Sequence, residues 1–229
     1  MLKIYIIPIL ITFLLPSPYF EEYTYDIEIK GISMIAGTVG KCVLKIEQNE
    51  NNEYEIGILT KTTNLAKILY PYIDEIKLRV DDHFSLISIE QNNSNENKKI
   101  KIEVKKDEKI ITRNGKRLNF YVDSLFSPYS LIPLLRKKDL KINNEYFYKI
   151  FSSKKIEDVL LKVLKFENVT VPYGTFECIN IKPITSQNAI KNNGELELWY
   201  TNDVNKIPIK VKLGTKIGTF IMKLKNINN

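Results

Sequence analysis

Over most of the chain, hydrophobic and polar positions alternate. Between Glu195 and Leu224, Leu196, Leu198 and Tyr200 share one side. Ile207, Ile209, Val211 and Leu213 share another, with Lys210 and Lys212 opposite, and Phe220, Met222 and Leu224 follow suit. Side chains two apart on a strand point the same way, so this stretch predicts a three-strand antiparallel meander, turning at Asn202-Asp203 and at Gly214. The same rhythm marks strands over 23–30, 38–48, 54–62, 72–80, 83–90 and 99–105. It continues through 110–120, where Asn114-Gly115 signals a two-residue hairpin, and then through 146–152, 158–169 and 175–181. Polar or small-residue connections are expected at 31–37, 49–52, 81–82, 91–97 and 185–194.

Two stretches break the rhythm. Asn64–Leu69 fits a single helical turn, with Asn64 as a cap and Pro71 as a stop. In Asp123–Arg136, Leu125, Phe126, Tyr129, Ile132 and Leu135 recur at steps of three and four, with Asp123 or Ser124 as cap. Pro128 and Pro133 divide this stretch into two short helical pieces, because proline lacks the N–H that a helix interior uses. Several strands are apolar on both sides: Val159, Leu161 and Val163 oppose Leu160, Leu164 and Phe166, while Phe176 and Cys178 oppose Ile179 and Ile181. A sheet covered on one face would alternate cleanly. The expectation is therefore a mainly β fold, a curled antiparallel sheet or open β-barrel of about 10–12 strands, with the broken helical segment 123–136 packed against it.

The start of the chain departs from this pattern. Lys3 precedes an apolar run, Ile4–Leu15, which Pro16-Ser17-Pro18 ends. Such a run is shorter than the roughly 20 residues of a spanning helix and fits a secretory signal peptide over residues 1–18. Residues 19–229 then form one domain, and the chain is placed outside the cytoplasm, in the periplasm or envelope of a bacterium. An oxidising compartment would let Cys42 and Cys178 pair, but both fall inside strands beside apolar neighbours, which favours buried thiols. The net charge of +7 is spread along the chain. It lacks the basic patch with interleaved aromatics that nucleic-acid binding needs, and is compatible with contact at an anionic membrane surface. The lysines of Lys99–Lys105 are expected on a solvated face that guards against edge pairing.

Little in the chain points to catalysis. The single histidine, His83, lies beside Asp81 and Asp82, with no serine in a nucleophile elbow. One histidine and two distant cysteines make no metal cluster, and no phosphate-cradling glycine loop implies a cofactor. Glu195 and Glu197 share a strand face and read as solvated. Trp199 has the parity opposite Leu198 and Tyr200, with Pro208 and Ile221 on the same minority side. It either packs beneath a loop or the helix, or joins Phe126 and Tyr129 around an apolar ligand. The candidate functions are a non-enzymatic envelope protein holding an acyl chain, an envelope interaction or assembly protein with a solid core, and, behind both, a hydrolase using His83.

With these segments placed, the chain resembles DUF3108, a family of exported bacterial proteins of unknown function. Asp123–Arg136 resembles the family's Asp-x-Leu-Ser-x-x-Tyr-x-x-Arg helix. Glu167–Cys178, with Val171-Pro172-Tyr173-Gly174-Thr175-Phe176, resembles its Val-Pro-x-Gly-x-Phe turn. Trp199 to Asp203, with Pro208 and Gly218, resembles its Trp-x-x-x-Asp…Pro…Gly ending. The ending is also similar to that of LolA-type lipoprotein carriers, which implies, by analogy, an open barrel with a helical lid. The family implies no activity.

Overall fold

The computed structural model describes residues 19–30, 37–95, 97–152, 154–184, 196–215 and 218–228. The predicted leader and most of the 31–37 and 185–194 connections lie outside the described residues. The alternating stretches become β1 (Phe20–Lys30), β2 (Thr38–Gln48), β3 (Tyr54–Thr62), β4 (Ile73–Val80), β5 (Leu86–Asn93), β6 (Lys98–Lys105), β7 (Ile110–Arg113) and β8 (Lys116–Asn119). They continue as β9 (Glu145–Ser152), β10 (Lys155–Val171), β11 (Gly174–Pro183), β12 (Leu196–Thr201), β13 (Pro208–Thr215) and β14 (Gly218–Asn228). Among the described residues there are also two short helices, α1 (Asn64–Leu69) and α2 (Leu131–Arg136).

All fourteen strands join one antiparallel sheet in the order β8-β7-β6-β5-β4-β3-β2-β1-β14-β13-β12-β11-β10-β9. The first eight strands form one meander and the last six another. The two meanders meet where β1 and β14 pair, for example Ile27 with Met222. The sheet does not close. One face carries Tyr23, Tyr25, Leu44, Ile46, Ile56, Leu78, Leu198, Tyr200 and Leu224, all buried. The other carries charge pairs between adjacent strands, among them Lys45 with Glu22 at 2.9 Å and Lys223 with Glu28 at 2.7 Å. Partly solvated pairs of this kind contribute on the order of 1 kcal/mol or less each. Their value is that a one-residue slip in register would turn them inward.

The fourteen strands exceed the expected 10–12, and the Asn114-Gly115 hairpin supplies two of them, each of four residues. Asn114 and Gly115 adopt φ of 47° and 79°, as a type I′ turn requires. Gly214, expected in a turn, instead pairs with Thr219 within the ladder. The lysines of β6 do not guard an edge, since β6 lies between β5 and β7. The edge strand on that side is β8, all of whose residues are exposed.

Segment 123–136 differs from the two helical pieces expected. Leu125 and Phe126 are extended and span the gap between the two meanders. The carbonyl of Leu125 accepts from the Leu86 N–H at 2.6 Å. Phe126 donates to the Lys149 carbonyl at 2.9 Å and accepts from the Phe151 N–H at 2.8 Å. Next comes a turn closed by two serines: Ser127 N–H donates to Ser130 Oγ, and Ser130 N–H to Ser127 Oγ, each at 3.0 Å. Only Leu131–Arg136 is helical. Pro133 is tolerated there because it falls in the first turn, whose N–H groups have no intrahelical partner. Leu131, Leu134 and Leu135 are buried in the same core as the sheet's apolar face. The expected packing of this segment against the sheet is thus present.

Candidate functional site

The polar groups brought together by the fold lie where α2 meets the sheet. Arg136, at its end, makes a bidentate pair with Glu21 of β1: Nη2 donates to Oε1 at 3.0 Å, and Nη1 contacts Oε2. Its Nε donates to the Asn205 carbonyl at 3.0 Å, which ties α2 to the β12–β13 turn. The Tyr23 hydroxyl donates to Glu21 at 2.7 Å, and the guanidinium lies 5.7 Å from the Tyr23 ring. On the helix itself, the Ile132 carbonyl accepts from the Tyr200 hydroxyl at 3.1 Å. Lys137 donates to the Tyr54 hydroxyl at 2.9 Å and sits near both Tyr54 and Phe84, whose rings stack with centroids 4.6 Å apart.

Burial alone would push the Glu21 carboxyl up. The bonds from Arg136 and Tyr23 outweigh it, and the group stays below its ordinary range. Burial likewise works against the charge of Arg136, but Glu21 and the tyrosines around it hold the guanidinium protonated. This is a charge-assisted clamp between a helix and a sheet, chemically suited to holding α2 in place. Burial pushes the phenols of Tyr23, Tyr25 and Tyr200 well above their ordinary value, so they act as neutral donors.

Of the aromatic residues singled out from sequence, Phe126 and Tyr129 sit on the segment that bears α2. Phe126 meets Tyr148 edge-on at 5.2 Å. The Tyr129 hydroxyl is pushed up to about 12 by burial, with the Asp74 carboxylate adding to it. Trp199 does not join them. Its neighbour Tyr200 reaches α2, so strand parity puts Trp199 on the opposite face. There its indole N–H donates to Glu167 Oε1 at 2.7 Å and Lys210 Nζ stands 4.2 Å from the ring. Burial pushes the Lys210 amine down, against the pull of Glu167.

What covers Trp199 is the β10–β11 hairpin. Its tip folds across the outer face, where the Tyr173 N–H donates to the Leu224 carbonyl of β14 at 3.0 Å. Val169 and Val171, two and four residues beyond Glu167, are buried on the same side. Cys178 is buried there too, while Cys42 is buried beside Tyr25; both thiols are free. Two-sided burial therefore holds along β11 but not throughout β10. Leu164, at a bulge, and Phe166 are 37% and 40% exposed.

His83 is exposed, with Nδ1 2.5 Å from Asp82 Oδ1. Asp81 accepts the N–H groups of His83 and Ser85 and pairs with Lys106. The Ser85 hydroxyl is buried and donates to the Leu125 carbonyl at 3.2 Å, so it is committed to structure. Of the Glu195/Glu197 pair, Glu195 lies outside the described residues; Glu197 is 3.4 Å from Lys212. A surface hollow lined by Ile87, Val104 and residues 105–108 touches none of Phe126, Tyr129 and Trp199. Sequence reasoning missed the Glu21–Arg136 clamp. Its one signal was a cation closing an apolar segment, and nothing in the sequence pointed to Glu21, 115 residues away.

Among solved structures, the chain is similar to a β-barrel-like protein of the DUF1849 family from Brucella abortus. The TM-score is 0.62 at 12% identity, over 92% of this chain and 97% of that one, which shows a shared fold. Two further structures match at lower similarity. One, described as an exported protein with a YmcC-like fold, comes from Bacteroides fragilis, with TM-score 0.38, 11% identity, and 91% and 95% of the two chains covered. The other, described as a lipoprotein, comes from Parabacteroides distasonis, with TM-score 0.37, 15% identity, and coverage of 91% and 94%. No curated protein matches the sequence. The clamp helix, the hairpin over Trp199 and the closing meander all fall within residues 24–225, over which the chain matches the model of DUF3108, a protein of unknown function, and it belongs to that family.

Proposed function

We propose that the protein is a non-enzymatic component of the bacterial envelope that works through its surfaces, its interior being filled by its own chain. The observation that carries this reading is the seat of α2. Leu125, Leu131, Leu134 and Leu135 occupy the ground in front of the sheet's apolar face where a ligand would otherwise lie. Export is supported by the Ile4–Leu15 run and its break at Pro16. The Ser85 hydroxyl near His83 is engaged with the Leu125 carbonyl, which weighs against its serving as a nucleophile. Native mass spectrometry of the protein purified from an envelope is the test. The expected mass is that of the polypeptide alone, and crosslinking in the envelope yields a stoichiometric protein partner. A bound lipid at unit occupancy would count against it.

A second reading, a carrier of an acyl chain, has one observation in its favour. Helix α2 belongs to neither meander, so its displacement would open the concave face without breaking the ladder. Phe126 and Tyr129 would then face the ligand and Trp199 would not. Arg136→Ala loosens the clamp; if that variant co-purifies with fatty acid or phospholipid, the carrier reading gains, and if it purifies empty, the solid-core reading stands.

A further inference from the structure

A surface helix normally turns its apolar stripe toward the core. In α1 the arrangement is reversed. Leu65, Ile68 and Leu69, spaced to share one side of the helix, are 74%, 77% and 70% exposed, and Tyr70 follows at 63%. Only Ala66 turns inward, and it is buried. The loop is not slack. At its base the Thr63 N–H donates to the Val39 carbonyl at 3.0 Å and the Thr62 N–H to the Tyr72 carbonyl at 3.0 Å. The Thr62 hydroxyl donates to the Tyr70 carbonyl at 3.1 Å and accepts from the Tyr72 N–H at 2.9 Å. Asn95 reaches the Pro71 carbonyl from the next connection. A pinned loop that presents three aliphatic side chains outward is a built feature, and contiguous apolar surface of this kind marks an interaction site.

The surrounding charge identifies the partner. From Thr60 to Ile73 the chain contains Lys61 and Lys67 and no carboxylate. Lys67 stands on the helix among the exposed aliphatic residues, and Lys61 pairs across the ladder with Lys41, bringing a third cation to the same end of the sheet. Aliphatic residues at a convex tip, tyrosine at its base and lysines on the flanks suit the layers of an anionic bilayer: acyl chains, interface and phosphate headgroups. Lysine stems can lie along apolar surface while their amines stay at headgroup level. Among the described residues no helix is long and apolar enough to cross a membrane, so this contact would be one of shallow insertion. We propose that α1 docks the protein on an anionic lipid surface, with Leu65, Ile68 and Leu69 entering the interface and Lys61 and Lys67 meeting the phosphates. The proposal is independent of whether the interior is solid or holds a ligand, because Ala66 alone of α1 reaches the core and the residues that would meet the lipid lie outside it.

The test is co-sedimentation of the full chain with vesicles of phosphatidylglycerol mixed with phosphatidylcholine, and with phosphatidylcholine alone. The mixed vesicles should bind the protein, and added salt should weaken that binding. Ile68→Glu with Leu69→Glu should lower partitioning by about a hundredfold or more, since each residue loses its apolar transfer. Lys61→Gln with Lys67→Gln should lower it about thirtyfold on the mixed vesicles and hardly at all on neutral ones. The variants keep the same N-terminus, so an apolar leader cannot account for a difference between them. All four positions are at the surface, and an unchanged near-ultraviolet circular dichroism spectrum checks the fold. Equal binding by the wild type and the double-glutamate variant would overturn the proposal. So would sedimentation as a dimer that Ile68→Glu dissociates without any vesicle binding, because the occupant would then be a second copy.

Discussion

The two helices, α1 and α2, have six residues each, are rich in aliphatic side chains and carry a cation in their last turn. Leu65, Ile68 and Leu69 of the first are at least 70% exposed; Leu131, Leu134 and Leu135 of the second are at most 5% exposed. The difference follows from the connections that carry them. Helix α1 lies between β3 and β4, which are neighbours, so its connection stays at one end of the sheet. Helix α2 lies between β8 and β9, the two outer edges, so its connection must pass from one edge to the other, and the apolar face takes it up. For segments this short, strand order decides between core and surface, and composition does not.

Substitutions can break or sharpen that contrast. The largest effect is expected in α2: Leu135→Ala leaves a hole in a packed core and should cost about 2–5 kcal/mol, read as a lowered denaturant midpoint. Arg136→Ala strands Glu21 without its ionic partner and should cost about 3 kcal/mol, with a chemical-shift change at Tyr23 as local readout. The clamp also predicts an acid response. Because the folded Glu21 carboxyl titrates below its ordinary 4.5, the stability it contributes is complete above that pH and is lost as pH falls through the lower folded value. Glu21→Gln should therefore be less stable than the wild type at neutral pH and should lose less on acidification below about 4.5, by denaturation across that range. Trp199→Phe removes the bond to Glu167 while keeping an aromatic ring, and about 1 kcal/mol should be lost. The smallest change belongs to α1: Ile68→Ser should alter stability by no more than about 0.5 kcal/mol, since the side chain touches little of the folded protein. A large loss there would show that α1 is covered after all.

Much of this architecture was legible in the alternation. Ile100, Ile102 and Val104 gave β6 its inward face, and the opposed parity of Trp199 and Tyr200 placed them on different faces. Parity could not show what lies over Trp199, because the fold of the β10–β11 hairpin across β14 depends on coiling of the strands, which leaves no periodic trace. Nor could it place Glu21 opposite Arg136, or show that Leu125 and Phe126 are extended. A run of apolar residues at steps of three and four looks helical whether it forms a helix or, as here, an extended bridge followed by a serine-closed turn. For α1, the Leu65, Ile68 and Leu69 spacing was visible, but the usual inference from such spacing points inward.

The seam between β1 and β14 joins residues far apart along the chain; the Asn228 side chain donates to Glu22 at 3.0 Å, across 206 positions. For a chain delivered N-terminus first, from a ribosome or through a translocation pore, β14 therefore arrives after all thirteen other strands and yet takes a central place among them. Until it does, β1 lacks one neighbour and β13 lacks another. Contacts of such long range make assembly slow and leave unpaired strands open to other chains in the meantime. Loss of β14 would divide the sheet into two separate meanders, each with a newly bared edge, so this strand works as the closing stitch of the domain.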